Sequence, residues 1–377
     1  HVKANYGSVR EETTHGHYFR SLYVREMLKT MFENMGARVS TLRVRIKNPV
    51  GKPPAEPDTI ELPVEKYELI KLGLASLKIV KSSTPRVHHE GLAGLLGSER
   101  TVVLVDDYPA VQMLGYDGVD ALLRENCYLI YVSHNFYDLP KKTASMEAYL
   151  MKNAFASISA SERDRYFYLN KYGLSGDSVV VYPNIYPLHL PPNRQENTNI
   201  GSEKHPKTTV VLNMGSKVSD TVCNSLIRTV HDATSAINDR DSFRLLVIGD
   251  NLVRYARGLN WRHEVEFQSH LPDRRLFLEK LSTAHIGINY AYKAVGSNIK
   301  KYDYALAGLA VLSNTYGCKG EILPREWVFY DEADLYVKLT NLLDEDLGRL
   351  GVENREHALA RAQKHYENLR QKLSSLL

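Results

Sequence analysis

The stretch GSNIKKYDYALAGLAVLSN, residues 296–314, places small polar residues at the mouth of a helix, two lysines in its first turn and an aspartate one turn inside. Each residue type suits one piece of chemistry. Gly296 has no Cβ, so the backbone there can approach a ligand closely. Ser297 or Asn298 can cap the helix, and the amides that follow point outward with a partial positive charge that favours a phosphate. Lys300 and Lys301 stand where the helix dipole disfavours cations, a placement that makes sense with an anion opposite. Asp303 could accept hydrogen bonds from both hydroxyls of a ribose. A nucleotide diphosphate fits the whole set. Spacing alone fits a surface helix start with solvated lysines equally well.

Elements able to position such a site run along the chain. Apolar runs alternate with helical patterns, which predicts an α/β architecture with parallel sheets. HYFRSLYVREMLKTMFENMGA has helical spacing and closes at Gly36. TVVLVDDYPAVQML and CYLIYVSHNF each end an apolar run in polar residues, as buried parallel strands do at their carboxyl ends. The segment 187–207, polar and proline-containing, reads as a linker, after which the strand-helix pattern restarts. Two Rossmann-like, doubly wound domains facing a cleft are expected, at 1–190 and 205–352. Their ligands belong outside the carboxyl ends of the strands.

Composition narrows the function classes. The chain has 377 residues, 43% hydrophobic and 24% charged, with a net charge of +4, too mild for a nucleic-acid partner. Cys127, Cys223 and Cys318 form no metal or disulfide pattern, which points to a reducing compartment. His15, His17 and the pair His88–His89 lack companions at ligand spacing, so no metal is expected. No apolar run approaches the ~20 residues of a membrane span. The basic clusters RVRIKNPVGK and KIVKSSTPR fit a solvated face better than lipid headgroups.

KKYDYALAGLAVLSN is similar to the K-x-x-E-Y-x-A-x-G-x-P-V-V segment of family-4-type retaining glycosyltransferases, which have the GT-B fold. Other pieces follow in that family's order. VSHNFYDL resembles its strand ending in a histidine, and SISASERDRYFYLNKYGLSGDSVVVYPN its serine, helix and proline-asparagine run. VVLNMGSKVSDTVCNSLIRTV, LLVIGDN and EVEFQSHLPDRRLFLEKLSTAHIGI resemble the segments that come next. The C-terminal helix, 353–377, is similar to the one that crosses back onto the first domain. Ordered matches run from residue 126 onward, and the first 125 residues fit in outline.

The resemblance implies roles. Asp303 takes the place of the ribose-binding glutamate, while the family's first glutamate falls on Val295 and is absent. The backbone of Gly296, Ser297, Asn298 and Ile299 would carry the diphosphate. Gly215 matches the glycine of the family's G-R-L segment, but its arginine and lysine fall on Ser216 and Thr221. Lys217 and Lys300 are the candidate replacements. Gly249 and Asp250 end a strand on the same side, and Ser269, His270 and Leu271 match a loop whose backbone meets the base. His134 matches the first-domain histidine that reaches the donor. Gly16, His17, Asp106 and Asp107 are candidates on the acceptor side; strand-end aspartates equally cap loops.

The implied activity is transfer of a sugar from a nucleotide-diphosphate sugar, UDP or GDP type, to an acceptor hydroxyl on a glycan, a lipid-linked carrier or a small molecule. Retention of configuration and independence from metal and other cofactors come with the resemblance. A nucleotide-sugar epimerase of similar fold, or a catalytically silent nucleotide-sugar-binding protein, are the alternatives. The expected location is the cytoplasm, with peripheral contact at the inner face of the cell membrane.

Overall fold

A computed structural model describes residues 16–36, 43–46, 59–62, 101–124, 127–134, 136, 139–187, 190, 207–214, 218–238, 243–292, 299–318 and 323–376. The chain divides into two compact units. The first takes His1–Val9, Ser21–Tyr182 and Glu367–Leu377, the second Arg10–Arg20 and Pro183–Tyr366.

Helix α1 (Gly16–Asn34) opens the described chain, with Met27, Leu28 and Met31 on its buried face and Gly36 in the left-handed region just beyond it. Strands β1 (Arg43–Ile46) and β2 (Thr59–Leu62) form a small parallel pair. The main sheet of the first unit follows. It is built from β3 (Thr101–Asp106), α2 (Asp107–Arg124), β4 (Cys127–Val132), α3 (Lys141–Asn153), β5 (Ala156–Ser159), α4 (Glu162–Tyr172) and β6 (Val179–Val181). Its strands run parallel in the order β3-β4-β5-β6, with Asp106 opposite Val132. Such strands are covered on both faces, which is why they read as near-continuous apolar runs. Ser161 caps α4 by accepting from the Asp164 amide at 3.1 Å, the role its place before the helix predicts.

Two tyrosines of α4, Tyr168 and Tyr172, turn their hydroxyls inward. Glu147 of α3, buried to 1% exposure, accepts from Tyr131 at 2.5 Å and Tyr172 at 2.6 Å, with Tyr168 at 3.5 Å. Three phenols thus solvate one carboxylate inside the unit and tie α3, α4 and β4 together. Burial, with the Glu147 charge beside it, pushes the Tyr172 hydroxyl far above the ordinary tyrosine range.

The second unit contains β7 (Thr208–Asn213), α5 (Asp220–Ser235), β8 (Phe243–Ile248), α6 (Asp250–Ala256), β9 (Glu264–Gln268), α7 (Arg274–Leu281), β10 (Ile286–Asn289), α8 (Ile299–Leu306), β11 (Ala310–Asn314), α9 (Thr315–Cys318), β12 (Glu326–Phe329), α10 (Glu332–Leu343) and α11 (Leu347–Ser374). All six strands are parallel, in the order β12-β11-β10-β7-β8-β9. The chain builds outward from β7 to β9, then returns to β10 on the other side of β7. That reversal is the topological switch point of a doubly wound sheet. The closing residues of α11 belong to the first unit. Among the described residues no helix is long and apolar enough to cross a membrane.

Candidate functional site

The switch point between β7 and β10 gathers several of the residues singled out above. Gly249 follows β8 with φ of 116°, and a Cβ there would lie 2.4 Å from the Met214 carbonyl oxygen. Only glycine permits that approach, so the turn after β8 is drawn against the end of β7. Asp250 then starts α6 and accepts from the His270 amide at 3.1 Å, which joins the loop of Ser269, His270 and Leu271 to the same sheet edge. Helix α8 begins at Ile299 and carries Lys300 to that edge. The Lys300 ammonium donates to the Tyr290 carbonyl at 2.9 Å and lies 3.2 Å from the Met214 sulfur. Tyr290 follows β10 and Met214 follows β7, so this cation stands at the carboxyl ends of the two strands that flank the reversal.

Lys301, expected to face a bound anion, does not. It is 1% exposed, lies 3.5 Å from the Glu326 carboxylate and donates to the Cys318 carbonyl at 2.8 Å. Its counter-charge is internal, and β12 supplies it.

Asp303, one turn further along α8, is 4% exposed. Its Oδ1 accepts from Arg274, at the start of α7, at 2.5 Å. Burial pushes the Asp303 carboxyl up from its ordinary range, and the Arg274 guanidinium opposes that by charge and hydrogen bond. Beside this pair, Asn184 Oδ1 accepts from Arg20 at 2.6 Å and from Tyr186 at 2.7 Å. The next residue, Tyr304, lays its ring on Gly287 of β10, where a Cβ would sit 2.5 Å from the ring. Its hydroxyl accepts from the Asn213 amide at 3.1 Å, which fixes the register of α8 on β7 and β10. Arg274 escaped the sequence reading. Its signal was available: a cation at the first position of a helix opposes the dipole, the same argument that marked Lys300.

In the first unit the strand ends bring Asp106 and His134 together. Nε2 of His134 lies 2.7 Å from Asp106 Oδ1, and both residues are buried. The carboxylate accepts from Nε2–H and so selects one tautomer of the ring. Ser133, the preceding residue, shares a 2.5 Å hydrogen bond with Tyr168 and thereby reaches the Glu147 network.

Gly16, His17 and Asp107 lie in helices whose side chains there are not described. Gly215, Ser216, Lys217, Val295, Gly296, Ser297 and Asn298 fall outside the described residues, as do His15, His88, His89 and most of the 187–207 linker. Thr221 is in the first turn of α5. Among the described residues no cluster of histidine, cysteine, aspartate and glutamate could hold a metal ion.

No protein-family model matches the chain, and no curated protein sequence matches it. Solved structures do. A trehalose-6-phosphate synthase superposes with a TM-score of 0.62 over 94% of this chain and 97% of its own, at 12% identity. A glycosyltransferase from Rickettsia africae ESF-5 gives 0.58 over 84% of each chain at 14% identity. Anabaena Alr3699/HepE, in complex with UDP and glucose, gives 0.57 over 84% of this chain and 86% of its own at 11% identity. With a main parallel sheet in each unit and these transferases matching it over most of its length, the chain has the GT-B fold.

Proposed function

We propose that this protein transfers a sugar from a UDP-sugar to an acceptor hydroxyl on a glycan or related molecule. The observation that carries the reading is the place of Lys300, at the switch point of a doubly wound sheet, where such sheets bind their ligands. UDP is chosen over GDP because one structural neighbour holds UDP and glucose. In the reaction the glycosidic bond to the diphosphate breaks, and negative charge grows on the departing UDP. The Lys300 ammonium and the amides opening α8 meet that charge where it develops. Lys217 is assigned to the same task. His134 holds the donor sugar, and the acceptor hydroxyl approaches the face the diphosphate leaves, bonds to the anomeric carbon and gives its proton to the departing diphosphate oxygen, which retains the configuration. Retention agrees with the trehalose-6-phosphate synthase among the neighbours, whose glycosyl transfer is described as retaining. We assign charge neutralisation to these fixed groups rather than to a metal.

The test is release of UDP from a UDP-sugar in the presence of candidate acceptors. Acceptor-dependent release supports transfer. Isomerisation of the donor without acceptor would replace the reading with an epimerase, and binding without turnover would replace it with a silent binding protein. Lys300→Ala should lower turnover by ~10²-fold, the usual loss for one such donor. A variant with unchanged turnover removes Lys300 from the mechanism.

A further inference from the structure

The residue at the ribose-binding position of α8 is an aspartate, one methylene shorter than a glutamate, and it lies almost wholly inside the protein. Both features work against a carboxylate that must accept hydroxyls from a ligand. A short side chain sweeps less space, and burial favours its neutral form. Arg274 answers both. It sits at the first position of α7, 8% exposed, and reaches Asp303 Oδ1 at 2.5 Å. One carboxylate oxygen is thereby fixed, and among the described residues no hydrogen bond reaches the other, Oδ2. The aspartate is aimed by that contact. Tyr304 anchors the same turn of α8 to β7 and β10, so the backbone beneath Asp303 has no slack either.

We propose that Arg274 is a positioning residue of the donor site: it clamps Oδ1 of Asp303 so that Oδ2 faces the pentose and accepts its hydroxyls. The inference rests on the nucleotide-sugar reading and adds a residue to it. Arg274 touches no substrate; it acts through Asp303. Cation and carboxylate come from different helices, α7 and α8, so the site depends on how these two helices are seated in one sheet.

A guanidinium does this better than an ammonium. The rigid planar group brings Nη2 to Oδ1 along a fixed direction, whereas lysine supplies a point charge on a flexible stem. Arg274→Lys therefore keeps the charge and loses the aim. That difference separates a positioning role from a merely structural one.

The experiment is calorimetric titration of the intact chain with UDP and with 2′-deoxy-UDP. The wild type should prefer UDP by roughly tenfold to a hundredfold, the range for a hydroxyl bound by a charged acceptor. Asp303→Asn should reduce that preference to near unity. Arg274→Lys should reduce it by about tenfold while the circular dichroism spectrum is retained. With Asp303→Asn already present, Arg274→Lys should change neither affinity further. If Arg274→Lys weakens both nucleotides equally, or the two substitutions act additively, the clamp is refuted while the donor reading stands. If the wild type binds no UDP, the donor reading itself fails and the clamp falls with it.

Discussion

His134 meets Asp106 at 2.7 Å inside the first unit, where the ring could otherwise turn. The carboxylate removes that freedom, and the Ser133–Tyr168 hydrogen bond holds the adjoining backbone. Asp106→Asn keeps the size of the side chain and loses the charge. It should lower sugar transfer by ~10²-fold, the cost of a small misplacement of a positioned group, with little change in the melting temperature. Steady-state kinetics beside a thermal melt check both halves, and unchanged turnover would leave the dyad a packing feature. At this scale the sequence was partly legible. Residue types at strand ends marked Asp106 and His134, because an apolar run that stops at a polar residue announces where a strand leaves the core, and the opposed helix dipole marked Lys300. Partners were not legible. Nothing in the spacing of Lys301 and Glu326, or of Arg274 and Asp303, pairs them, because the contacts arise when elements from separate strand-helix units settle on one sheet.

Helices and strands were easier to read than their contacts. The alternation of apolar runs with helical patterns located β3 to β11 and α1, and the serine before α4 located its cap. The helices α3 and α10 were not singled out, and α11 begins at Leu347, earlier than the 353 expected. Helix ends are set by capping and packing as much as by periodicity, so such differences are usual. Element geometry also explains a constraint around the switch point. The turn joining β8 to α6 is possible because Gly249 takes a positive φ against the Met214 carbonyl. Gly249→Ala should cost about 3 kcal/mol from backbone strain and the clash together. Denaturant unfolding will measure it, and a loss below about 0.5 kcal/mol would show that β7 and the turn can part without penalty.

The fold class was legible for the whole molecule because two runs of strand-helix units, separated by a proline-rich polar stretch, leave few architectures open. The proposed function was legible only through the ordered resemblance, since Ser216, Thr221 and Val295 stand where that family has an arginine, a lysine and its first glutamate. The units also share one helix. Residues 367–377, the end of α11 and the three residues after it, belong to the first unit, with Leu369 and Leu373 completely buried. A chain ending at Tyr366 should lose roughly 4 to 10 kcal/mol from those two leucines, enough to unfold a unit of ordinary stability. A melt that keeps the transition of the second unit and loses that of the first is the expected result; two intact transitions would contradict it.

The order of synthesis gives that shared helix a further meaning. Residues 183–366 are synthesised before 367–377, so the first unit to begin is the last able to finish. At 5 to 20 residues per second the delay is on the order of ten to forty seconds. Through that interval the apolar seat of Leu369 and Leu373 lacks its cover, the kind of transiently exposed surface that favours aggregation.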